Sequence, residues 1–255
     1  MIRFELPFKN TLMKKFILIL IIALTSFQSQ SQVLITLLLG DKLNSDDLEF
    51  GLEGGVNWSQ IDAMETSNYL RKWNLGFYFD IRIKNQWFLY TGVLVKANMG
   101  VENLTDNDLD FLDATIYQDF EDPSIRLVGD YSQKLSYFLV PALFKYKFKN
   151  HLYTEIGPQF GLMYDAWVEF SSDIEGIDAT LKEYNEEKIN RIDAGAMVGI
   201  GYTLFKGTGW TFGAKYYYGF VDVYKHKEGT INSSIFLHMN IPIGAGKIPE
   251  KKDAD

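Results

Sequence analysis

The sequence contains no cysteine, which excludes disulfides, thiolate metal sites and a lipidated N-terminal cysteine. Histidine is nearly absent too. His151, His226 and His238 fall on a turn, a loop and a strand, with no pair at metal-ligand spacing, so no zinc site is expected. Lys and Arg number 25 against 33 acids, a net charge of -8, which argues against a nucleic-acid surface. Only six prolines interrupt the 255 residues. Beyond the N-terminus no apolar run approaches the ~18–20 residues of a membrane helix; "VLITLLLG" (33–40) is the longest candidate. No glycine-rich phosphate loop occurs either, because the glycines alternate along strand-like segments.

What remains is rich in strand formers. The chain is 47% hydrophobic and 15% aromatic, with 19 Phe and 15 Tyr. Its start reads as a secretory signal: "MKKFILILIIALTSFQSQSQ" (13–32) has Lys14 and Lys15, an apolar core from Phe16 to Leu24, and a small polar run. Residues 1–32 are therefore expected to be a signal peptide, whose start is equally well placed at Met13. An exported chain without a helical anchor is either soluble outside the inner membrane or a barrel in the outer one.

Period-two alternation marks eight strand-length segments, near 48–59, 73–84, 86–99, 134–149, 151–167, 190–205, 209–223 and 231–244. Each is long enough to cross a bilayer as a tilted strand, which takes ~9–11 residues. Their connections alternate in length. "KNQ" (84–86), "KNH" (149–151) and "FKGTG" (205–209) are short, whereas 60–72, 100–133, 168–189 and 224–230 are longer. This is the layout of tight periplasmic turns and extended outer loops. The acids follow the same division. Nine lie between Gly100 and Gln133 beside one Arg, and seven between Val168 and Asn190 beside two Lys.

The faces of these strands also differ. In "GWTFGAKYYYGFVDVY" (209–224), Trp210, Phe212, Ala214, Tyr216, Tyr218 and Phe220 share one face and Lys215 lies on the other. A closed sheet can cross lipid if its outer face is apolar, and its inner face is then free to be polar. The inward set so defined includes Glu53, Asp80, Arg82, Lys96, Lys145, Glu155, Asp193, Lys215 and His238. An eight-stranded barrel is just wide enough for side chains to fill it. Mixed-sign charges packed there are expected to pair, with inward glycines making room for them. A lipocalin-like soluble lipid carrier is the alternative, with the faces reversed. The five tryptophans, Trp58, Trp73, Trp87, Trp167 and Trp210, lie at or near strand ends, as interfacial girdles do, and favour the membrane barrel.

Several segments resemble the PorT-type outer-membrane β-barrel family common in Bacteroidota, a Gram-negative group. "GLEGGVNWSQI" (51–61) is similar to its first strand and "FLVPALFKYKF" (138–148) to its Pro-containing strand. "LYTEIGPQFGLMYDA" (152–166) resembles its Gly-Pro-Gln strand; "DAGAMVGIGYTL" (193–204) and "AKYYYGFVDV" (214–223) resemble its closing hairpin. "LLLGDKLNSDDLEFGLEGG" (37–55) is similar to a branch with a short segment ahead of the first strand. The resemblance covers about residues 37–244 and its motifs mark a fold, not a reaction. It departs at the end: "HMNIPIG" (238–244) leads into the polar "KIPEKKDAD", where many such barrels close on an aromatic.

The expectation is thus an all-β, eight-stranded, antiparallel up-and-down transmembrane β-barrel over 48–246. A short periplasmic segment (33–47) precedes it and a polar tail (247–255) follows. It is expected in the outer membrane, in contact with lipid, and with other envelope proteins through its outer loops or periplasmic ends. No cofactor, metal or catalytic residue is expected. "DNDLDF" (106–111) has alternating acids but Phe111 where a calcium loop needs Gly and Tyr117 where it needs Glu, so a solvated acidic loop is the reading. Ser234 and His238, four apart on a strand, are roughly 13 Å apart. Glu155 and Asp193 read as salt-bridge partners before an acid–base couple. An outer-membrane enzyme acting on lipid or peptide at the loop face is the remaining alternative.

Overall fold

The computed structural model describes residues 45, 47–116, 129–174, 177–207 and 209–243. The expected signal peptide, all but two residues of segment 33–47, and the tail lie outside them. Nine strands form: β1 (Leu48–Ile61), β2 (Leu70–Lys84), β3 (Trp87–Glu102), β4 (Asp130–Lys147), β5 (Leu152–Ile174), β6 (Ile177–Tyr184), β7 (Ile192–Thr203), β8 (Thr211–Asp222) and β9 (Ile231–Pro242). All pairings are antiparallel. Eight strands close a ring, β1-β2-β3-β4-β5-β7-β8-β9, with β9 hydrogen-bonded back to β1. Closure leaves the ring no edge for other strands to find.

The three short turns fall at one end, and each contains a left-handed residue: Asn85 at φ 50°, His151 at φ 68° and Phe205 at φ 52°. Asparagine tolerates that region better than most side chains. The third turn is a short helix over Leu204–Gly207.

At the opposite end the wall is uneven. β5 continues to Ile174, well past its last pairing with β7 at Leu162, and carries β6 as a hairpin partner from Trp167 to Ile174. Strand β6 corrects the expected long loop at 168–189. It stands clear of the ring, so no apolar-out pattern marks it, and its acids hide the alternation.

The segment after β3 is a second correction. Residues Asp106–Phe111 form a helix, α1, with Thr105 as N-cap and Asp108 completing a capping box. Asp108 is not solvated. It is buried and accepts from the backbone N–H of Glu65 (2.6 Å), Thr66 (3.1 Å) and Thr105 (2.9 Å). Helix α1 seats Leu109 and Leu112 against Ile61, Ile189, Val223 and Tyr224, continuous with Val101, Leu135 and Val168 of the upper wall. This apolar cap sits at the end of the barrel opposite the short turns.

The two faces of the ring sort as the alternation requires. Trp210, Phe212, Tyr216, Tyr218 and Phe220 are exposed, while Lys215 is 4% exposed. Val198 and Ile200 face out; Asp193 and Met197 face in. Charge inside and oil outside is the reverse of a soluble carrier, which removes the premise of that alternative. Trp73, Trp87 and Trp210 are half-exposed as a girdle requires. Trp167 is buried, with Tyr184 of β6 at 6.4 Å and the Lys182 ammonium 4.4 Å over its ring, so it belongs to the hairpin and not to the girdle. No helix among the described residues is long and apolar enough to cross a membrane, which says nothing of crossing by strands.

Candidate functional site

The interior of the lower barrel is a connected charge network. Lys215 on β8 reaches Glu53 on β1 (2.8 Å) and lies 3.9 Å from Glu155 on β5. Lys145 on β4 approaches the same Glu155 at 4.0 Å and binds Asp80 on β2 at 3.0 Å. Asp80 also takes Lys147, at 2.9 Å, from the mouth side. Three carboxylates thus meet three ammonium groups, the balance that makes buried charge tolerable.

Tyrosines fill the space between them. The Tyr90 hydroxyl donates to Glu53 and accepts from Lys215 (3.1 Å) and Asn240 (3.3 Å). Lys215 sits 4.2 Å from the centre of the Tyr90 ring, and Lys145 lies 4.2 Å from that of Tyr153, close enough for cation–π attraction. Tyr153 hydrogen-bonds His238 Nε2 at 3.0 Å. Tyr78 stacks on Tyr90 at 5.9 Å and donates to Glu49. Inward glycines leave this volume open. A Cβ at Gly199 would stand 2.9 Å from Glu155, and one at Gly213 would stand 2.2 Å from the Tyr153 hydroxyl.

Of the eight charges read from the alternation, Glu53, Asp80, Lys145, Glu155 and Lys215 come together here. Three do not. Lys96 is exposed, its ammonium 3.8 Å over the outward-facing Trp73 ring. A bulge between Leu94 and Ala97 turns the strand by one residue, so the even phase that faces inward below Leu94 faces outward at Lys96. Arg82 is also displaced. The pairing of β2 slips after it, and its half-exposed guanidinium pairs with Asp47 at 3.7 Å at the short-turn end of the barrel. Asp193 is buried but stands apart, in the upper lumen with Asn232.

The alternation missed Lys147, Tyr90 and Tyr153. The tyrosines were findable: Tyr153 is two residues before Glu155, and Tyr90 is paired in register with Asp80. A search limited to charges passes over the neutral rings that separate them. Lys147 shares Lys145's face, two residues on, and is brought to Asp80 at the mouth.

The network offers little to covalent chemistry. Ser234 donates to the Trp58 carbonyl and His238 is engaged with Tyr153, so the two form no nucleophile–base pair. Glu155 and Asp193 belong to different clusters. Among the described residues no group of three His, Cys, Asp or Glu is placed to hold a metal.

Comparison with known proteins places this geometry. The model of the outer membrane protein beta-barrel domain family matches residues 28–225. Among curated proteins none matches. Solved structures that resemble it include Ail, the attachment invasion locus protein of Yersinia pestis, in complex with the heparin analogue sucrose octasulfate. That chain is 14% identical, with 77% of this chain and 99% of that one covered and a TM-score of 0.41. Neisserial surface protein A is 11% identical, covering 75% and 96%, with a TM-score of 0.39. OprG from Pseudomonas aeruginosa is 10% identical, covering 76% and 91%, with a TM-score of 0.31.

Proposed function

Because the chain belongs to the outer membrane protein beta-barrel domain family, we propose that it is a non-enzymatic, PorT-like integral barrel. Its lumen is closed and its work is done by its ends. Residues 1–32 export it, 33–47 lie in the periplasm, 48–246 form the barrel and 247–255 the tail. Lipid surrounds the girdle, and the partners are envelope proteins met by the outer loops or the periplasmic turns.

The observation that supports this reading is the filling of the barrel. The chain of Lys147, Asp80, Lys145, Glu155, Lys215 and Glu53 crosses the lumen from wall to wall, with Tyr90 and Tyr153 packed among the charges. Above it the α1 cap adds an apolar layer. A pore needs continuous water, and this filling supports a closed lumen instead.

The test is reconstitution of folded, heat-modifiable protein into planar bilayers. Current at the level of the bare membrane is expected. Reproducible unitary conductance would overturn the closed-lumen reading. The same preparation is expected to turn over no phospholipid or peptide substrate, and turnover abolished by a single loop substitution would overturn the non-enzymatic one.

A further inference from the structure

The short-turn end of the barrel carries more positive charge than its own acids use. Each short turn contains one lysine and no acid: Lys84, Lys149 and Lys206. The acids near this end are already engaged. Asp47 pairs with Arg82, Asp80 with Lys145 and Lys147, and Glu49 accepts from the Tyr78 hydroxyl. Lys84 and Lys149 are exposed and form no ion pair among the described residues.

Beside these lysines the outer wall is grooved. An open cleft of about 720 Å³ runs along it, lined almost wholly by apolar surface. That volume lies within the ~300–1,000 Å³ of ligand sites. The strand register fixes its place: Lys84 is paired with Trp87, Trp87 with Tyr146, Tyr146 with Thr154, Thr154 with Ile200 and Ile200 with Ala214. Thr154 and Ala214 are the short side chains of this row and form a floor. The next outward row, away from the turns, is Phe144, Ile156, Val198 and Tyr216, whose larger side chains wall it. At the rim the Tyr146 ring meets Trp87 at 4.9 Å and Phe148, the neighbour of Lys149, at 4.9 Å. The trough therefore begins where the two unpaired lysines stand.

We propose that this groove holds an acyl chain of an anionic glycerophospholipid, with Lys84 and Lys149 on its phosphate head. An apolar trough with cations at one end matches an alkyl chain with a negative head. A lysine stem lies along apolar surface and carries its ammonium to the headgroup level. The site rests on the membrane reading above, in which the short turns lie at the periplasmic surface, and it selects a lipid of that leaflet. A lipid of the opposite leaflet would place its head at the far end from both lysines.

The experiment is native mass spectrometry of the folded, heat-modifiable chain in non-ionic detergent, titrated with phosphatidylglycerol or with phosphatidylcholine of the same acyl chains. The first phosphatidylglycerol is expected to bind roughly tenfold more tightly than phosphatidylcholine, since each lysine near a headgroup adds to the attraction. Added salt is expected to shrink that preference. Lys84→Gln with Lys149→Gln is expected to bring phosphatidylglycerol down to the phosphatidylcholine level. Ala214→Leu fills the floor and is expected to weaken both lipids alike, by roughly fivefold. The lysine pair decides alone if Ala214→Leu gives no folded band. Equal binding of the two lipids, or a preference that survives in the lysine pair, would overturn the site. Unchanged affinity in a folded Ala214→Leu would overturn it too, by reducing it to a headgroup contact. A lipid-free dimer that Ala214→Leu dissolves would give the groove to a second copy of this chain and overturn the lipid. Because only heat-modifiable protein is scored, each of these results leaves the membrane reading standing; failure to insert into vesicles would defeat that reading instead.

Discussion

At the scale of single residues, a lysine's worth depends on which face of the wall it occupies, and two lysines make the comparison. Lys215 is buried and engaged by Glu53 and the Tyr90 hydroxyl, with Glu155 close by. Replacing it with Met leaves Glu53 and Glu155 with one ammonium fewer between them, and removing one partner of a buried pair costs about 3–5 kcal/mol. Lys215→Met is therefore expected to lower the urea midpoint of folding in detergent sharply. Adding Glu53→Gln is expected to restore part of the loss. Lys96 has the same charge but sits outside, over Trp73. Such a contact at an exposed site is worth about 0.5–1 kcal/mol, so Lys96→Met is expected to shift the midpoint little. Equal losses in the two variants would mean that Lys96 points inward after all. The sequence alone treats the pair as equivalent, because nothing in the letters between Leu94 and Ala97 announces the bulge that separates them. Period two carries side-chain direction reliably only while the register holds. That is why Lys215, on the unbroken part of β8, was readable and Lys96 was not.

At the scale of elements, the outer end is folded and not merely looped, and two of its parts can be unfastened separately. Asp108 receives three backbone N–H groups from two segments, Glu65–Thr66 and Thr105, and so pins α1 to the β1–β2 connection. Asp108→Ala strands those donors, at a cost of about 3 kcal/mol. Hydrogen exchange is expected to rise across 103–116 while the ring strands keep their protection and the protein stays heat-modifiable; loss of the folded band would mean that cap and barrel unfold as one. The β5–β6 hairpin has its own fastening in Glu169, which lies beyond the ring and binds Lys134 and the Trp167 indole N–H. Burial alone would raise the pKa of this carboxyl, but the hydrogen bonds from Lys134 and Trp167 and the Lys134 charge outweigh it and hold the pKa below the ordinary value. A depressed carboxylate stabilises the fold above its unfolded pKa, near 4.3, and loses that contribution as pH falls through its folded value. Trp167 emission is therefore expected to change as pH drops below about 4, and Glu169→Gln to flatten that change; an unaltered profile in the variant would assign it to another group. Neither part was legible beforehand. The apolar stripe that reveals a membrane strand is imposed by lipid, and it ends where the lipid ends. Helix α1 was concealed in the same way: "DNDLDF" reads as polar, though Thr105 and Asp108 hold the spacing of a capping box.

At the scale of the whole molecule, the eight ring strands and their order were readable, and so was their sidedness wherever the register is unbroken, because closure and lipid together constrain every second residue of such a strand. Pairing across the lumen was not, since it depends on which strands the ring brings opposite one another. Lys215 meets Glu53 across the β9 strand that separates β8 from β1, and neither sequence distance nor spacing encodes that. On the proposed reading the barrel is closed twice, by two layers of different chemistry. The upper layer is apolar and belongs to the cap, so cutting it away removes hydrophobic contacts but no interior charge. The lower layer is a set of charges and rings, and its tyrosines are the bulk that excludes water. Replacing residues 103–116 by a short Gly/Ser linker is accordingly expected to leave bilayer current at the background level. Tyr90→Ala with Tyr153→Ala, under an intact cap, is expected to leave it there too, the apolar layer now sealing alone. Only the combination is expected to give a small ohmic conductance, cation-selective or anion-selective according to which of the freed charges line the opening. Each variant is scored only in its heat-modifiable, folded fraction. Conductance in the cap deletion by itself would show that the lower charge layer does not seal the barrel, and silence in the combination would show that a further part of the lumen does.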